Sequence, residues 1–457
     1  MPNICVIGAS LMWTPTLVTD LMSVFDDPLE VRLVDINPAM ARLMADWGRV
    51  AAKYHGRKDR FIPCHDRKKA LKDADSVLIT ISTGGLDAME HDLKIPEKYG
   101  IFAPVGDTVG PGGWSRAIRN IPVFRRFAED FQRVCPTALL VNYTNPMSAL
   151  TATLQLNCGN PVVGLCHSYF EIKDVLQQIF GLKDWSPLSL TIAGMNHFTW
   201  VIDFKVGRED GYQLLRKKLR GKSLQDFIPM KGTDEIGNYS GRELFIQLYE
   251  TFGYLSYVAN RHISEFLSFT VSGNPPRMMV RNPKNGKMSD TIRYCHIGRS
   301  SVEGRRASMV RRAPSLRQTI RDARAGKEQF PRKSRETGAE MIRAYLRNKP
   351  LTDAVNTLNA GQVPCLPQGA CCVETMGVVD GFGVRPLFVP HIPEPLQEIM
   401  RPAAVCQKWL TEGALKGDKN LLLQALYRDP QCAQLKPHEI RQMADELLAA
   451  NRQYFKL

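Results

Sequence analysis

The first half of the chain alternates short apolar runs with amphipathic stretches, and this rhythm leaves few folds open to it. The runs are Ile4 to Ile7, Val31 to Val34, Val77 to Ile81, Ala138 to Val141 and Val162 to Leu165. Short apolar runs separated by helical stretches argue for parallel strands joined by crossover helices. Helix-start signals lie between them: Thr14-Pro15 and Asn37-Pro38 each put a capping side chain before a proline suited to the first helical position. The pattern predicts an α/β fold built on a doubly wound, Rossmann-type parallel sheet. Ligands of such sheets gather beyond the carboxyl ends of the strands, so Gly8, Asp35, Ser82, Asn142 and Cys166 are expected to face one crevice.

After about residue 195 the rhythm changes. Phe198 to Val206 alternates like a solvent-facing strand, and helical stretches follow at 240–252, 335–346, 394–415, 419–428 and 437–452. The 457 residues can bury two cores, and no internal repeat or low-complexity linker divides them. The expectation is a dinucleotide-binding domain over 1–195 and a second domain over 196–457. The latter is a mixed, mainly helical α+β unit carrying substrate, metal and subunit contacts.

Composition removes several classes of function. Hydrophobic residues at 44% and charged residues at 23% are globular values. Every long apolar run is far below the roughly 20 residues that cross a bilayer, so no membrane role is expected. The strand-like Ile4-Cys5-Val6-Ile7 follows Met1 almost at once and leaves no room for a secretion leader. The 11 scattered cysteines are therefore expected to be thiols in a reducing, cytoplasmic setting. The net charge of +14 is concentrated in Arg305, Arg306, Arg311, Arg312, Arg317, Arg321, Arg324, Lys327, Arg332, Lys333 and Arg335. A basic face can bind nucleic acid, but this one has no stacking aromatics, zinc spacing or recognition-helix pattern. It reads first as a solvated or subunit-contacting face, then as an attractor of anionic substrate, with nucleic acid last.

At the amino end, Ile4-Cys5-Val6-Ile7-Gly8-Ala9-Ser10 is a strand running into a glycine turn, and the helix that follows can receive a pyrophosphate at its amino end. Only Gly8 is glycine where a dinucleotide fingerprint has three. Asp35, closing the second strand, strengthens the reading, because a carboxylate there accepts hydrogen bonds from both adenine-ribose hydroxyls and repels a 2′-phosphate. This favours NAD over NADP, with Gly8, Ser10, Asp35, Ser82 and Asn142 as the contacts.

Cys166-His167-Ser168 and Gly194-Met195-Asn196-His197 each follow an apolar run, so a thiol and an imidazole at two strand ends of one sheet would converge on the crevice. By chemistry alone, a lone cysteine and a lone histidine are more often ordinary core or surface residues. Asn145, in Asn142-Tyr143-Thr144-Asn145-Pro146, can hold a polar substrate or simply cap a helix before proline. Gly110-Pro111-Gly112-Gly113 permits close backbone approach to a ligand, or is a plain loop.

Taken in order, these motifs make the chain resemble glycoside hydrolase family 4, the NAD- and divalent-metal-dependent glycosidases of the lactate and malate dehydrogenase superfamily. The resemblance runs through Gly8 to Leu17, Val34-Asp35-Ile36, Ile95-Pro96 to Gly100, Gly110 to Gly113, Asn142 to Pro146, Cys166-His167-Ser168, Met195-Asn196-His197, His262-Ile263-Ser264-Glu265-Phe266 and Val379-Asp380-Gly381. It implies a metal, usually manganese, held by Cys166 and His197, and a sugar bound by Asn145. Asn196, Arg261 and His262 are assigned to the same substrate.

The resemblance also implies a redox-assisted elimination. NAD removes hydride from C3 of the sugar, a base takes the acidified C2 proton, the C1 substituent leaves, water adds and the hydride returns. The base in the family is often a tyrosine, or in some members an aspartate, near the His-x-x-Glu-Phe motif. Here the segment holds Tyr254 and Tyr257 and no aspartate. Tyr257 is the leading candidate and Tyr254 the reserve; an ordinary tyrosine, with a pKa of about 10, needs help from a metal or from Arg261. His167 is a candidate acid for the leaving group.

The Cys-His-Ser version resembles the α-galactosidase group, although Tyr169 replaces the usual aliphatic residue. The basic balance leaves room for an acidic sugar such as a uronide or sulfonated sugar. Two rivals stand beside these: a plain NAD-dependent sugar or 2-hydroxy acid dehydrogenase, which needs no metal, and a catalytically dead sugar or nucleotide sensor. The family implies a homodimer or homotetramer.

Overall fold

The computed structural model describes every residue except 167, 229–231, 234–238, 241, 272–276, 282–287, 293–296, 328–329, 331–332 and 456–457. Its parallel half consists of β1 (Asn3–Ile7), β2 (Glu30–Val34), β3 (Arg60–Cys64), β4 (Ser76–Ile79), β5 (Leu139–Asn142) and β6 (Val162–Gly164). These pair in the order β3-β2-β1-β4-β5-β6. The crossovers are α1 (Thr14–Val24), α2 (Pro38–Tyr54), α3 (Arg67–Leu71), α4 (Gly85–Glu97), α5 (Gly110–Val134) and α6 (Met147–Asn157). Strand order reverses between β1 and β4, which opens the crevice there.

Side chains alternate across this sheet. Cys5, Ile7, Val77, Ile79 and Leu140 bury against Phe124 and Phe131 of α5, while Ile4, Val6, Val31, Leu33 and Val141 bury against Leu21 of α1 and Trp47 of α2. Both faces are dry, so each strand reads as a continuous apolar run. The edge strand β3 escapes such a reading because it contains Pro63, which only an edge tolerates. Asn37 caps α2 as its sequence predicts, accepting from Ala39 N at 3.0 Å. Thr14 does not cap α1. Its hydroxyl is buried without a hydrogen-bond partner among the described residues, and Ser10 Oγ closes the helix start by accepting from Trp13 N at 3.0 Å.

Beyond β6, α7 (Ser168–Phe180) leads into an antiparallel meander of β7 (Leu188–Met195), β8 (Phe198–Val206) and β9 (Glu209–Asp210). There follow α8 (Gly211–Lys218), α9 (Glu243–Phe252), α10 (Asn260–Ile263) and α11 (Ser268–Val271). Small antiparallel pieces accompany them, β10 (Gly232–Thr233) with β11 (Tyr239–Ser240), and β12 (Arg277–Arg281) with β13 (Met288–Ile292) and β14 (Ile297–Gly298). Arg305 to Arg324 of the basic segment lie on α12 (Val302–Arg324), of which only Val302 and Ile320 are buried; Lys327, Lys333 and Arg335 follow it, and Arg332 lies outside the described residues. Arg306 of this helix pairs with Asp87 at 2.6 Å and Glu90 at 3.0 Å on α4.

After α13 (Gly338–Arg347), β15 (Leu351–Leu358) and β16 (Cys372–Asp380) enter the main sheet between β6 and β7, and β17 (Gly383–Pro386) pairs with β16. All these added pairings are antiparallel, and the sheet reaches 12 strands. Periodicity hides β15 and β16 because Asn356, Thr357, Glu374 and Thr375 are polar yet buried. Gly164, Asn356, Glu374 and Gly194 stand in one row across β6, β15, β16 and β7. Asn356 Nδ2 donates along it to Gly164 O at 3.3 Å and Glu374 Oε2 at 3.0 Å.

The helices α14 (Glu394–Lys416), α15 (Lys419–Arg428) and α16 (Pro437–Asn451) lie close to their expected bounds. Leu410, Leu426 and Leu447 from them complete the core around α5, and Met341 and Ile342 of α13 complete the opposite one. Parallel pairing thus ends at β6, ahead of the antiparallel β7, and one continuous sheet runs across position 195. No helix among the described residues is long and apolar enough to cross a membrane.

The Gly110-Pro111-Gly112-Gly113 segment is the first turn of α5, and its glycines serve a protein contact. A Cβ on Gly112 would fall 2.7 Å from Gly106 O, and one on Gly113 would fall 2.4 Å from the Thr108 carbonyl carbon. The helix start is pressed flat against the 106–108 backbone. Gly113→Ala is expected to cost about 1–3 kcal/mol by overpacking, read by chemical denaturation; unchanged stability would show that the loop yields freely.

Candidate active site

At the amino end of the crevice Gly8 takes φ +92°, and a Cβ there would fall 2.3 Å from Thr80 O, so the turn requires glycine. Asp35 is half-buried; burial raises its pKa, and Oδ1 accepts from Asn37 N at 2.7 Å. Beside it Ile36 is fully exposed, an apolar platform at the strand end. Ser10 shapes the α1 start, and the exposed Ser82 accepts from Arg116 Nη2 at 3.4 Å. Asn142 is fully buried and uses its amide inside its own turn, accepting from Thr144 N at 2.9 Å and donating to Thr151 Oγ1 at 3.1 Å.

Asn145 is not a helix cap: α6 begins at Met147, after a cis Asn145–Pro146 bond. Its Nδ2 reaches Asp107 Oδ1 at 3.4 Å, and its buried Oδ1 has no hydrogen-bond partner among the described residues. Arg116 on α5 donates to Asn145 O at 3.1 Å. Burial opposes ionisation of Asp107, yet Arg116, then His262, His197 and Arg305 outweigh it and hold this carboxyl down at about 2.

His197 is placed by an antiparallel turn rather than by the end of a parallel strand. β7 runs opposite to β6, and Met195 pairs with Phe198, leaving Asn196 and His197 as the two turn residues. His197 has φ +66°, a left-handed conformation costing about 1–2 kcal/mol in a residue with a Cβ. Its ring is buried, meets Thr108 Oγ1 through Nδ1 at 3.0 Å, and stacks on His262 at 3.8 Å and Tyr257 at 5.6 Å. Tyr257 is fully buried beside it. Tyr254 lies elsewhere, edge-on to Tyr212 at 5.3 Å. Asn196 is also fully buried, and neither amide atom finds a partner among the described residues. Orphaned groups of this kind cost about 1–3 kcal/mol each, and a hydroxylated ligand would satisfy them.

Cys166 follows β6, half-exposed, next to the Asn142–Asn145 turn, since Leu165 N donates to Asn142 O at 3.0 Å. A thiol and an imidazole form a donor set suited to a borderline divalent cation. The imidazole is held through Nδ1, which is how proteins commonly orient a ligating histidine. His167 lies outside the described residues. Arg261 is buried and donates to Gly298 O at 3.0 Å, Pro104 O at 3.4 Å and Ser300 Oγ at 2.7 Å. Arg305 Nη2 reaches the same hydroxyl at 3.2 Å.

Several residues of the candidate site lie outside the sequence reading. Asp107, Thr108 and Arg116 are central, and the only sequence signal was an acid and a threonine just before the glycine-rich turn. Glu265 lies in a motif noted without a role. Its Oε1 accepts from Val105 N at 2.6 Å and Gly106 N at 2.8 Å, clamping the loop before Asp107. From late in the chain, Gln431 Nε2 donates to Glu265 O at 2.8 Å and Asp429 Oδ2 accepts from Gly110 N at 3.1 Å.

Burial pushes the Glu265 carboxyl from its ordinary 4.5 up to about 7, against the opposing pull of its two backbone donors. Between those values the folded state holds the proton that the unfolded state has lost, so stability falls as pH rises through the window. Glu265→Gln, which cannot ionise, is expected to lose less stability than the unaltered chain between about pH 5 and about pH 8. Denaturant titrations at each pH measure this, and parallel curves for the two proteins would contradict it.

Residues 3–182 match the profile described as "Family 4 glycosyl hydrolase", and residues 192–432 that of the "Family 4 glycosyl hydrolase C-terminal domain". An alpha-galacturonidase of Thermoanaerobacterium saccharolyticum is 28% identical over 98% of this chain and 95% of its own. An alpha-galactosidase of Bacillus subtilis is 29% identical over 86% of each. A 6-phospho-alpha-glucosidase from gut microorganisms, solved with NAD and Mn2+, shares the fold with a TM-score of 0.77 at 19% identity, over 99% of each chain.

Proposed function

The chain belongs to family 4 of the glycosyl hydrolases, and on that premise we propose that it hydrolyses an α-galactoside with the help of NAD and a divalent metal, manganese first among candidates. The observation that carries this reading is that one loop meets both His197, through Thr108, and Asn145, through Asp107, with Tyr257 stacked on that imidazole and the unsatisfied Asn196 next to it in the chain. NAD would lie along the Gly8 turn, with Asp35 accepting from the ribose hydroxyls, Ile36 under the adenine, and Ser10, Ser82 and the Asn142 turn lining the remainder. Cys166 and His197 would hold the metal.

When bound, NAD supplies a hydride acceptor for C3 of the sugar, and the metal supplies a Lewis acid for the carbonyl formed there. The chain's own residues do the rest. Asn145 and Asn196 bind sugar hydroxyls, and Tyr257, ionised to its phenolate, takes the C2 proton as the C1 substituent leaves. His262, stacked on His197, closes the wall of the site. His167 protonates the departing oxygen. The enzyme works as a homodimer or homotetramer in a reducing cytoplasm.

A second reading, a galacturonide as substrate, is favoured by the guanidinium groups of Arg261 and Arg305 meeting at Ser300 Oγ. Paired guanidinium forks suit a carboxylate. It also agrees with the galacturonidase among the relatives.

Aryl α-galactoside and aryl α-galacturonide, each assayed with NAD, Mn2+ and a thiol reductant, decide between the two. Chelation is expected to abolish whichever activity is found, and metal-independent release of the aryl group would overturn the mechanism. Oxidation of the substrate without aglycone release would instead indicate a plain dehydrogenase. Tyr257→Phe is expected to stop exchange of the C2 proton with deuterated solvent and to lower kcat by about 10²–10⁴-fold, while Tyr254→Phe leaves exchange intact. Rapid exchange in the first variant would remove Tyr257 from the role.

A further inference from the structure

Thr108 stands between a carboxylate and the imidazole assigned to the metal. Its Oγ1 donates to Asp107 Oδ1 at 2.9 Å and contacts His197 Nδ1 at 3.0 Å. A threonine hydroxyl has one proton and two lone pairs. Asp107 Oδ1 also receives the Asn145 amide at 3.4 Å, so on this side it acts as an acceptor and the hydroxyl proton points toward it. The contact with His197 must then have the ring donating, which puts the imidazole proton on Nδ1 and the lone pair on Nε2. The reverse arrangement would strip Asp107 of its hydroxyl donor and turn an N–H toward the cation.

We propose that Asp107 and Thr108 are positioning residues which lock His197 in its Nδ1-protonated tautomer, so that Nε2 is presented to a divalent cation, and which join that ligand to the substrate amide of Asn145 through one carboxylate oxygen. This rests on the reading of His197 as a metal ligand. Thr108 is well built for the task. It is buried, its backbone is pressed by Gly113, and the residues before it are clamped by Glu265. The left-handed backbone of His197 aims the ring at this hydroxyl at a conformational cost that a plain turn residue would not incur. The arrangement also couples the two halves of the site, because displacement of the Asp107 carboxylate would disturb both the histidine and the sugar-binding amide.

The tautomer is read directly by NMR of the full chain labelled with 15N-histidine, metal-free at about pH 8, where an unperturbed histidine is neutral. The His197 signals are assigned by their loss in His197→Gln. A protonated Nδ1 and an unprotonated Nε2 are expected, and the opposite pattern would overturn the proposal without any change to Thr108. In parallel, Mn2+ is titrated into the chain and the EPR signal of the unbound ion is followed. Thr108→Val is expected to weaken binding by about 10–100-fold, while Thr108→Ser, which keeps the hydroxyl, binds as the unaltered chain does. NAD affinity, followed by fluorescence, should be the same in all three proteins. Unweakened Mn2+ binding by a folded Thr108→Val protein would overturn the proposal alone. Failure of the unaltered chain to bind Mn2+ would overturn the metal reading itself, and the proposal with it.

Discussion

The site depends on the loop from Pro104 to Gly110, because nearly every polar group along it is gripped by a different part of the chain. Pro104 O accepts from Ser300 N at 2.6 Å and faces Arg261; Val105 and Gly106 donate to Glu265; Asp107 meets Asn145 and lies in the field of Arg116; Thr108 meets His197; Gly110 donates to Asp429. A loop held this way has few arrangements left to it, and the side chains of Asp107 and Thr108 inherit that rigidity. The adjoining glycines allow α5 to support it from behind.

A second constraint fixes the register of the strands that carry the two metal-ligand candidates. β6 and β7 run in opposite directions, and the buried row Gly164, Asn356, Glu374, Gly194 locks them with two intervening strands. Cys166 lies just past this row on one strand and His197 just past it on the other. Thr199 Oγ1 donates to Glu374 Oε1 at 3.1 Å, tying the hairpin that bears His197 into the same seam. A buried carboxylate whose two oxygens both accept hydrogen bonds gives directional register where apolar packing would permit slippage.

The parallel half of the sheet was legible in the sequence because both of its faces are dry, and period and burial agree there. The late helices were legible as well, with α14, α15 and α16 within a residue or so of expectation. β15 and β16 were not, since their buried Asn356, Glu374 and Thr375 look like surface residues until their cross-strand partners are known. Tyr257 and Tyr254 stand three residues apart with the same chemistry, and only tertiary structure separates them, one on His197 and the other on Tyr212. Asp107 and Thr108 went unnoticed because a carboxylate next to a hydroxyl is commonplace in loops, and their meaning comes entirely from what they touch. Family resemblance singled out the candidate metal pair, which spacing alone would have left as an ordinary cysteine and histidine.

The clasp at 429–431 bears on how the molecule is made. Asp429 and Gln431 hold Gly110 and Glu265, so a turn near the far end of the chain adds a second tie between the loop and the segment that clamps it. During synthesis the parallel strands emerge early and can begin to pair as they leave the ribosome. The last of the ties on the loop that presents Asp107 and Thr108 is made some three hundred residues later. Assembly of the crevice and arming of the site are therefore separate events in time, and a nascent chain would possess the former well before the latter.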